Sequence, residues 1–441
     1  MNLIQKYNVP GPRYTSYPTV PFWETDFFEP ERWLERLSEQ SQCSDLSIYI
    51  HLPFCESLCT FCGCHKRITK NHRVERPYLE AVRNEWRLYR KRLPEQPRIA
   101  EIHLGGGTPS FFSADNLKWF LEEFLQDTQA AEEIEYGFEG HPANTTAEHL
   151  QTLYDLGFRR VSFGVQDYDP VVQKAIHRLQ TFEDVEKVTN LARQIGYTSV
   201  SHDLVFGLPL QRLESIENTI QKTILLRPDR ISYYSYAHVP WIKGNGQRGF
   251  QDEDIPNGEA KRALYEKGRE MLESAGYLEI GMDHFALPHD SLYQTMKKGT
   301  LHRNFMGYTT TQTKVLLGLG VSSISDCWTA YSQNVKEIET YTELVNKGEF
   351  PILKGHMLTK DDITYRQHIL DIMCRFETQI PQIESIHQRL QPLKADGLIE
   401  YSDSVLQVTP EGRPFLRNIC MAFDQKLNQQ RMEKQLFSKT I

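Results

Sequence analysis

The chain has 441 residues, with 50 Lys and Arg against 58 Asp and Glu, for a formal net charge of −8. That balance excludes a basic field able to draw in nucleic-acid phosphates, although an acidic surface can still hold a basic pocket for an anionic small substrate. Eight cysteines, four of them in one stretch, exclude a disulfide scaffold and point to a reducing compartment, and apolar runs such as Val315–Val321 are far too short to span a bilayer.

The opening residues M-N-L-I-Q-K-Y-N-V-P carry no apolar signal core. The expectation is therefore a soluble, cytoplasmic protein of two or three domains. Residues 1–45 show little periodicity, and G-P-R-Y-T-S-Y-P-T over 11–19 reads as an extended, turn-rich arm. Such an arm is either a packing strap or a lid that brings Arg13, Tyr14 and Tyr17 over a pocket.

The stretch Y-I-H-L-P-F-C-E-S-L-C-T-F-C-G-C over 49–64 sets Cys55, Cys59 and Cys62 at C-x3-C-x2-C spacing, with Cys64 one residue beyond. Thiolates this close in sequence can meet at one soft metal centre. Three ligands fit a [4Fe-4S] cluster with one iron open to an outside ligand. A zinc site and a cysteine-rich loop without metal are the competing readings.

From Leu46 onward, short apolar runs at 46–51, 99–104, 134–139, 160–165, 199–206 and 229–236 alternate with amphipathic segments near 76–93, 114–126, 147–156, 169–176, 182–195 and 213–226. Strand then helix, repeated six times, predicts an α/β fold with a parallel sheet whose chemistry sits at the carboxyl ends of the strands. The polar motifs fall there. The cysteines follow the first run, G-G-G-T-P (105–109) the second and E-G-H-P (139–142) the third; Gln166 and Asp167 end the fourth, and Tyr234 to His238 end the sixth. One shared site at the top of a partial barrel is the implication.

Glycines at 105–107 let a backbone approach a ligand closely and can free N–H groups to hold a carboxylate or phosphate; a tight turn is the plainer reading. Glu139 suits a ligand ammonium or ribose hydroxyls, or is simply a solvated charge. Asp203 lies in the apolar run V-S-H-D-L-V-F and must meet a cation, a hydroxyl or a dipole. Tyr49 and Phe61 flank the cysteines as core aromatics or as shields for a flat group.

Further along, a helix is expected over 257–275, followed by a strand-like segment ending in G-M-D-H-F-A (281–286). The segment 291–350 carries L-H-R-N-F-M-G-Y-T-T and G-L-G-V-S-S-I-S and reads as a cover for the barrel. Beyond residue 350, helices near 361–375 and 380–396, a hairpin over 398–409 and a helix from Pro410 predict a mostly α, winged-helix-like accessory domain over 351–441. Its tail lacks the concentrated charge of a DNA-recognition helix. The barrel itself is assigned to 46–290.

Together, the cysteine loop, the glycine turn and the β/α ladder resemble the radical S-adenosylmethionine (SAM) superfamily. The segments G-P-R-Y-T-S-Y-P-T, H-L-P-F-C-E-S-L-C-T-F-C-G-C, G-V-Q-D, D-L-V-F-G-L-P, Y-A-H-V-P, G-M-D-H-F-A, H-R-N-F-M-G-Y-T-T and R-N-I-C-M-A-F-D narrow this. They resemble the oxygen-independent coproporphyrinogen III oxidase (dehydrogenase) family of anaerobic haem synthesis.

The resemblance implies a partial (βα)6 radical SAM barrel with one [4Fe-4S] cluster on Cys55, Cys59 and Cys62. A first SAM would meet Tyr49, Gly106, Glu139 and Ile324; a second would meet Phe61, Gly107, Thr108, Gln166, Arg178, Asp203 and Ala237. The implied reaction is reductive SAM cleavage, removal of a propionate β-hydrogen, and loss of CO2 and one electron. Done twice, it turns coproporphyrinogen III into protoporphyrinogen IX. A low-potential donor of the flavodoxin or ferredoxin type is implied, and a monomer is expected.

Arg13 and Arg303 are hypothesised propionate clamps, because guanidinium forks suit carboxylates. The chain departs from the family's usual E-V-D-P segment at Gly140 and His141, so Glu139 keeps its implied role and His141 receives none. With a complete tripod before it, Cys64 is expected to be a buried small side chain rather than a ligand. Alternative functions are a haem-binding relative acting as a chaperone, another porphyrin-acting radical SAM enzyme, or a zinc-stabilised binding module.

Overall fold

The structure is a computed structural model that describes residues 2–25, 28–241, 246–402, 404–429 and 436–440. Asp403, at the tip of the hairpin expected over 398–409, lies outside them, as do 430–435 beyond Pro410.

Six parallel strands carry the barrel: β1 (Leu46–Leu52), β2 (Arg98–Gly106), β3 (Gln129–Gly140), β4 (Arg160–Gln166), β5 (Ser199–Phe206) and β6 (Arg230–Ser235). Helices Glu75–Arg90, Ala114–Leu125, Ala147–Asp155, Pro170–Ala175, Phe182–Ile195 and Leu213–Leu226 connect them, each pressing one apolar face on the sheet. The helix boundaries are set locally. Thr181 and Asp184 cap each other's backbone at the start of Phe182–Ile195, and Gly196, at φ 117°, ends it in the left-handed region.

The third strand begins at Gln129 rather than at 134. Residues 129–133, Q-A-A-E-E, are mostly exposed and show no alternation, yet their first two residues pair with Arg98 and Ile99.

The sheet continues past both ends of the six. On the β6 side lie β7 (Leu278–Gly281) and β8 (His284–Ala286), antiparallel. On the β1 side, β9 (Val315–Leu319) pairs with β1 in parallel, followed by antiparallel β10 (Ile324–Asp326), β11 (Ala330–Asn334) and β12 (Ile352–Met357). The segment over 291–350 therefore builds part of the main sheet. All five residues of β9 are buried; a strand covered on both faces loses its alternation, so V-L-L-G-L does not announce itself as one.

The C-terminal part packs into a second core, in which Ile369, Leu390 and Phe423 meet Tyr7, Tyr14 and Tyr17 of the N-terminal arm and Ile280 and Tyr308 from the barrel side. Tyr14 donates to Asp424 Oδ2 at 3.0 Å and Arg417 Nε donates to Pro12 O at 2.9 Å. The arm is thus strapped to the C-terminal helices while Arg13 reaches the barrel. Among the described residues, no helix is long and apolar enough to cross a membrane.

Candidate active site

The cysteine loop leaves β1 at Leu52 and folds back so that Phe54 and Cys55 pair with Arg67 and Ile68. Thr60 anchors it across the barrel mouth, its N–H donating to Ile176 O at 2.8 Å and its hydroxyl to Ala175 O at 3.0 Å. From the loop after β6, Gly246 N donates to Cys62 O at 3.4 Å.

Cys55, Cys59 and Cys62 are free, half-buried thiols. Burial pushes Cys55 up to about 11, and the charges of Cys62 and Cys59 push the same way, so the three feel one another across the loop. Thr108 Oγ1 donates to Cys55 Sγ at 3.3 Å and Arg178 Nη1 to Cys59 Sγ at 3.7 Å. The Cys62 thiol sits below its ordinary range because Cys64 hydrogen-bonds to it and Lys66 and Arg178 add positive charge. Cys64 is exposed and turned toward Cys62 rather than buried as a small apolar side chain.

Among the described residues, no three Cys, His, Asp or Glu side chains already meet at one metal-sized point. The fit to a cluster rests on the donor set: three neighbouring thiols, each hydrogen-bonded at sulfur, with two cations beside them. A thiolate-rich, net-negative centre requires these features.

The glycine turn at the end of β2 is packed too closely for any side chain. A Cβ on Gly107 would lie 2.6 Å from the Pro53 carbonyl carbon, and one on Gly106, at φ 110°, would lie 2.5 Å from the His51 ring. Its amides are already engaged. Gly106 N donates to Glu139 Oε2 at 3.3 Å, Gly107 N to Leu52 O at 2.8 Å and Thr108 N to Phe54 O at 3.0 Å. The turn is therefore a brace between β2 and the cysteine loop, and from 106 to 108 it offers a ligand no free N–H, contrary to the expected amide cradle.

Beside the turn stands Glu139, at the end of β3, with its side chain 43% exposed. Burial by itself would raise its pKa; hydrogen bonds from His103 Nε2 (3.2 Å) and Gly106 N outweigh that and hold it below the ordinary carboxylate range. Tyr49 faces the same space, its ring stacked on His103 at 6.1 Å and its hydroxyl 3.1 Å from His51 Nδ1. Tyr49 pairs with Gly318, against which the Ile324 backbone packs, so the distant Ile324 arrives beside β1 through β9 and β10.

A second group gathers at the ends of β4, β5 and β6. Arg178 Nη2 donates to Gly164 O at 2.5 Å, and a Cβ on Gly164 would strike both Arg178 and the amide of Gln166. Gln166 itself adopts φ 67°. Asp203 accepts from the Ser162 hydroxyl at 2.7 Å, and burial raises its carboxyl to about 6. The Phe61 and Ala237 carbonyls are bridged by Gln247 Nε2 at 3.4 and 2.7 Å. Sequence reasoning missed Gln247, which lies in a turn-rich stretch with no motif. It missed His103 as well, a lone histidine inside an apolar strand.

Arg13 and Arg303 take different environments. Arg13 Nη2 donates to Ser235 O at 2.6 Å and Nη1 lies 3.4 Å from Asp283 Oδ2, so part of its charge is answered. Arg303 is 6% exposed and stacks 4.6 Å over the Tyr308 ring. Its Nε and Nη1 are buried without a hydrogen-bond partner among the described residues. His284 lies edge-on to both Tyr308 and Tyr234, and Tyr234 feels the charges of Asp203, Glu139 and Arg303. This aromatic bridge joins Arg303 to the carboxylates at the strand ends. His141 caps its own turn, accepting from Ala143 N at 3.2 Å.

Comparison with known proteins bears on this geometry. Residues 49–223 match the family model described as the radical SAM superfamily. The chain is 38% identical to the oxygen-independent coproporphyrinogen III oxidase of Escherichia coli, over 100% of this chain and 98% of that protein, and 37% identical to its namesake from Pseudomonas aeruginosa, over 100% and 98%. The solved structure of the Escherichia coli coproporphyrinogen III oxidase, described as a radical SAM enzyme, superposes with a TM-score of 0.89 at 36% identity, covering 94% of this chain and 98% of that one. The chain belongs to the oxygen-independent coproporphyrinogen III oxidase family. Its cofactors are accordingly a [4Fe-4S] cluster and SAM, and the α/β barrel is a radical SAM barrel.

Proposed function

We propose that the protein oxidatively decarboxylates two propionate side chains of coproporphyrinogen III to vinyl groups, giving protoporphyrinogen IX. The observation that carries this beyond a generic radical SAM reading is Arg303, a buried guanidinium with two nitrogens unpartnered among the described residues, joined through Tyr234 and His284 to the strand-end carboxylates. A buried cation without an anion is strongly unfavourable, and a ligand carboxylate supplies the missing partner in bidentate geometry.

Cys55, Cys59 and Cys62 hold the cluster, and Glu139, Tyr49, Gly106 and Ile324 line the place of one SAM. Phe61, Gly107, Thr108, Gln166, Arg178, Asp203 and Ala237 line the place of a second. When bound, the cluster would relay the donor's electron and SAM would supply the hydrogen-abstracting radical. The chain supplies position and exclusion of water. Arg178 fixes the loop to β4, the glycine turn holds the loop against β2, and Arg303 anchors one propionate so that another is presented for attack. Arg13, already shared with Asp283, is the weaker clamp.

The electron comes from a flavodoxin- or ferredoxin-type donor, and the protein works as a cytoplasmic monomer. The test is anaerobic reconstitution followed by iron analysis and SAM cleavage. About four irons per chain and dithionite-dependent release of 5′-deoxyadenosine are expected, both lost in Cys55→Ser, Cys59→Ser and Cys62→Ser but not in Cys64→Ser. Zinc in place of iron would refute the proposal.

A further inference from the structure

We propose that Arg160, acting through His103, is a positioning residue for Glu139: it selects the imidazole tautomer that keeps this carboxylate ionised and aimed into the site. The inference rests on the reading of Glu139 as a SAM contact.

A guanidinium has only donors to offer. Arg160 Nη2 lies 3.2 Å from His103 Nδ1, so Nδ1 must present its lone pair. An imidazolium would set N–H against N–H there. The ring proton is thereby placed on Nε2, which lies 3.2 Å from Glu139 Oε1 and donates to it. The opposite tautomer would be wrong at both ends, with a donor facing Arg160 and a lone pair facing the carboxylate. His103 is 6% exposed, so water does not relieve either mismatch. The same ring stacks on Tyr49, and one histidine orientation therefore sets two side chains of the proposed SAM site.

Arg160 is itself pinned. Its Nε lies 3.2 Å from Glu135 Oε1; Glu135 Oε2 takes Arg230 Nη2 at 2.9 Å and the Thr310 hydroxyl at 3.1 Å; and Arg230 Nε donates to Asp290 Oδ1 at 2.6 Å. Two guanidiniums and two carboxylates balance, all within the barrel. Burial alone would raise the Glu135 pKa, but Arg230 and Arg160 hold it down to about 2, so the set stays ionised. Arg160 thus reaches His103 with its charge answered by Glu135 inside the protein, and His103 Nε2 faces Glu139 as a donor.

The first test needs no cofactor. In full-length protein carrying nitrogen-15 histidine, ring correlations should report the neutral form of His103 as the Nε2–H tautomer. In Arg160→Met the ring should relax to a tautomer mixture. In reconstituted protein, Arg160→Met should weaken SAM binding about tenfold or more, the scale of one hydrogen bond to a charged group, with kcat at saturating SAM changed by less than about twofold. In a His103→Gln background, Arg160→Met should have no further effect on SAM affinity, a coupling that a merely stabilising residue would not show. An Nδ1–H tautomer in the unaltered protein, unchanged SAM affinity in folded Arg160→Met, or additive effects would overturn the inference. Failure of the unaltered reconstituted protein to bind SAM would instead overturn the functional reading beneath it.

Discussion

Arg178 ties Cys59 to the fourth barrel strand: one guanidinium nitrogen lies 3.7 Å from the Cys59 sulfur and the other holds the Gly164 carbonyl at 2.5 Å. Hydrogen bonds to ligating sulfur raise the potential of an iron–sulfur centre. In Arg178→Met the iron content should stay near that of the unaltered protein, while a redox titration followed by electron paramagnetic resonance should move to more negative potential and SAM cleavage should fall. An unmoved potential would separate Arg178 from the cysteine loop's function.

Gly107→Ala should be costly, because the new Cβ would lie 2.6 and 2.7 Å from the Pro53 carbonyl carbon and oxygen, which are backbone and cannot swing away. A loss of about 1–3 kcal/mol is expected for overpacking of this kind, with reduced iron loading as the cysteine loop is pushed out. Gly63→Ala, where a Cβ meets nothing within 4 Å, is the matched control and should be silent in thermal unfolding.

Asp203 gives a pH signature. Burial raises its folded carboxyl to about 6, against an unfolded value of about 3.9. The native state therefore holds this proton more tightly, and the stability it contributes is full below the unfolded pKa and lost as pH rises through the folded one. Asp203→Asn removes that loss while its amide oxygen still accepts from Ser162. The variant should gain more thermal stability at pH 8 than at pH 5, and it should lose SAM-dependent turnover. An equal gain at both pH values would contradict burial of the charged form.

Arg303→Met should separate stability from function. Replacing a buried cation that has no anionic partner among the described residues with an apolar side chain is expected to be neutral or stabilising, so the melting temperature should hold or rise. Affinity for coproporphyrinogen III should fall about tenfold or more, as expected for loss of a charge-assisted pair. A variant that binds the tetrapyrrole normally would remove Arg303 from the substrate site.

Much of this site is legible in the sequence because its parts follow strand ends. The cysteine loop, the glycine turn, Glu139 and Gln166 each sit where an apolar run stops, and the parallel sheet brings those stops to one face. The illegible parts depend on contacts that no local pattern encodes. Strand β9 is buried on both faces and shows no alternation. His103 and Glu139 are separated by 36 residues and meet only once β2 and β3 are in register. The amides of 106–108 look free in a glycine-rich turn and are consumed by the loop after β1. Arg303 is legible as a candidate carboxylate clamp, but its burial against Tyr308 and its unpartnered Nε and Nη1 among the described residues come only from the packing.

The most direct test is the mass of the tetrapyrrole after anaerobic incubation of the reconstituted protein with SAM, dithionite and coproporphyrinogen III. Two successive losses of about 46 mass units are predicted, each one CO2 and two hydrogens. Recovery of unaltered coproporphyrinogen III from a preparation that cleaves SAM would contradict the account.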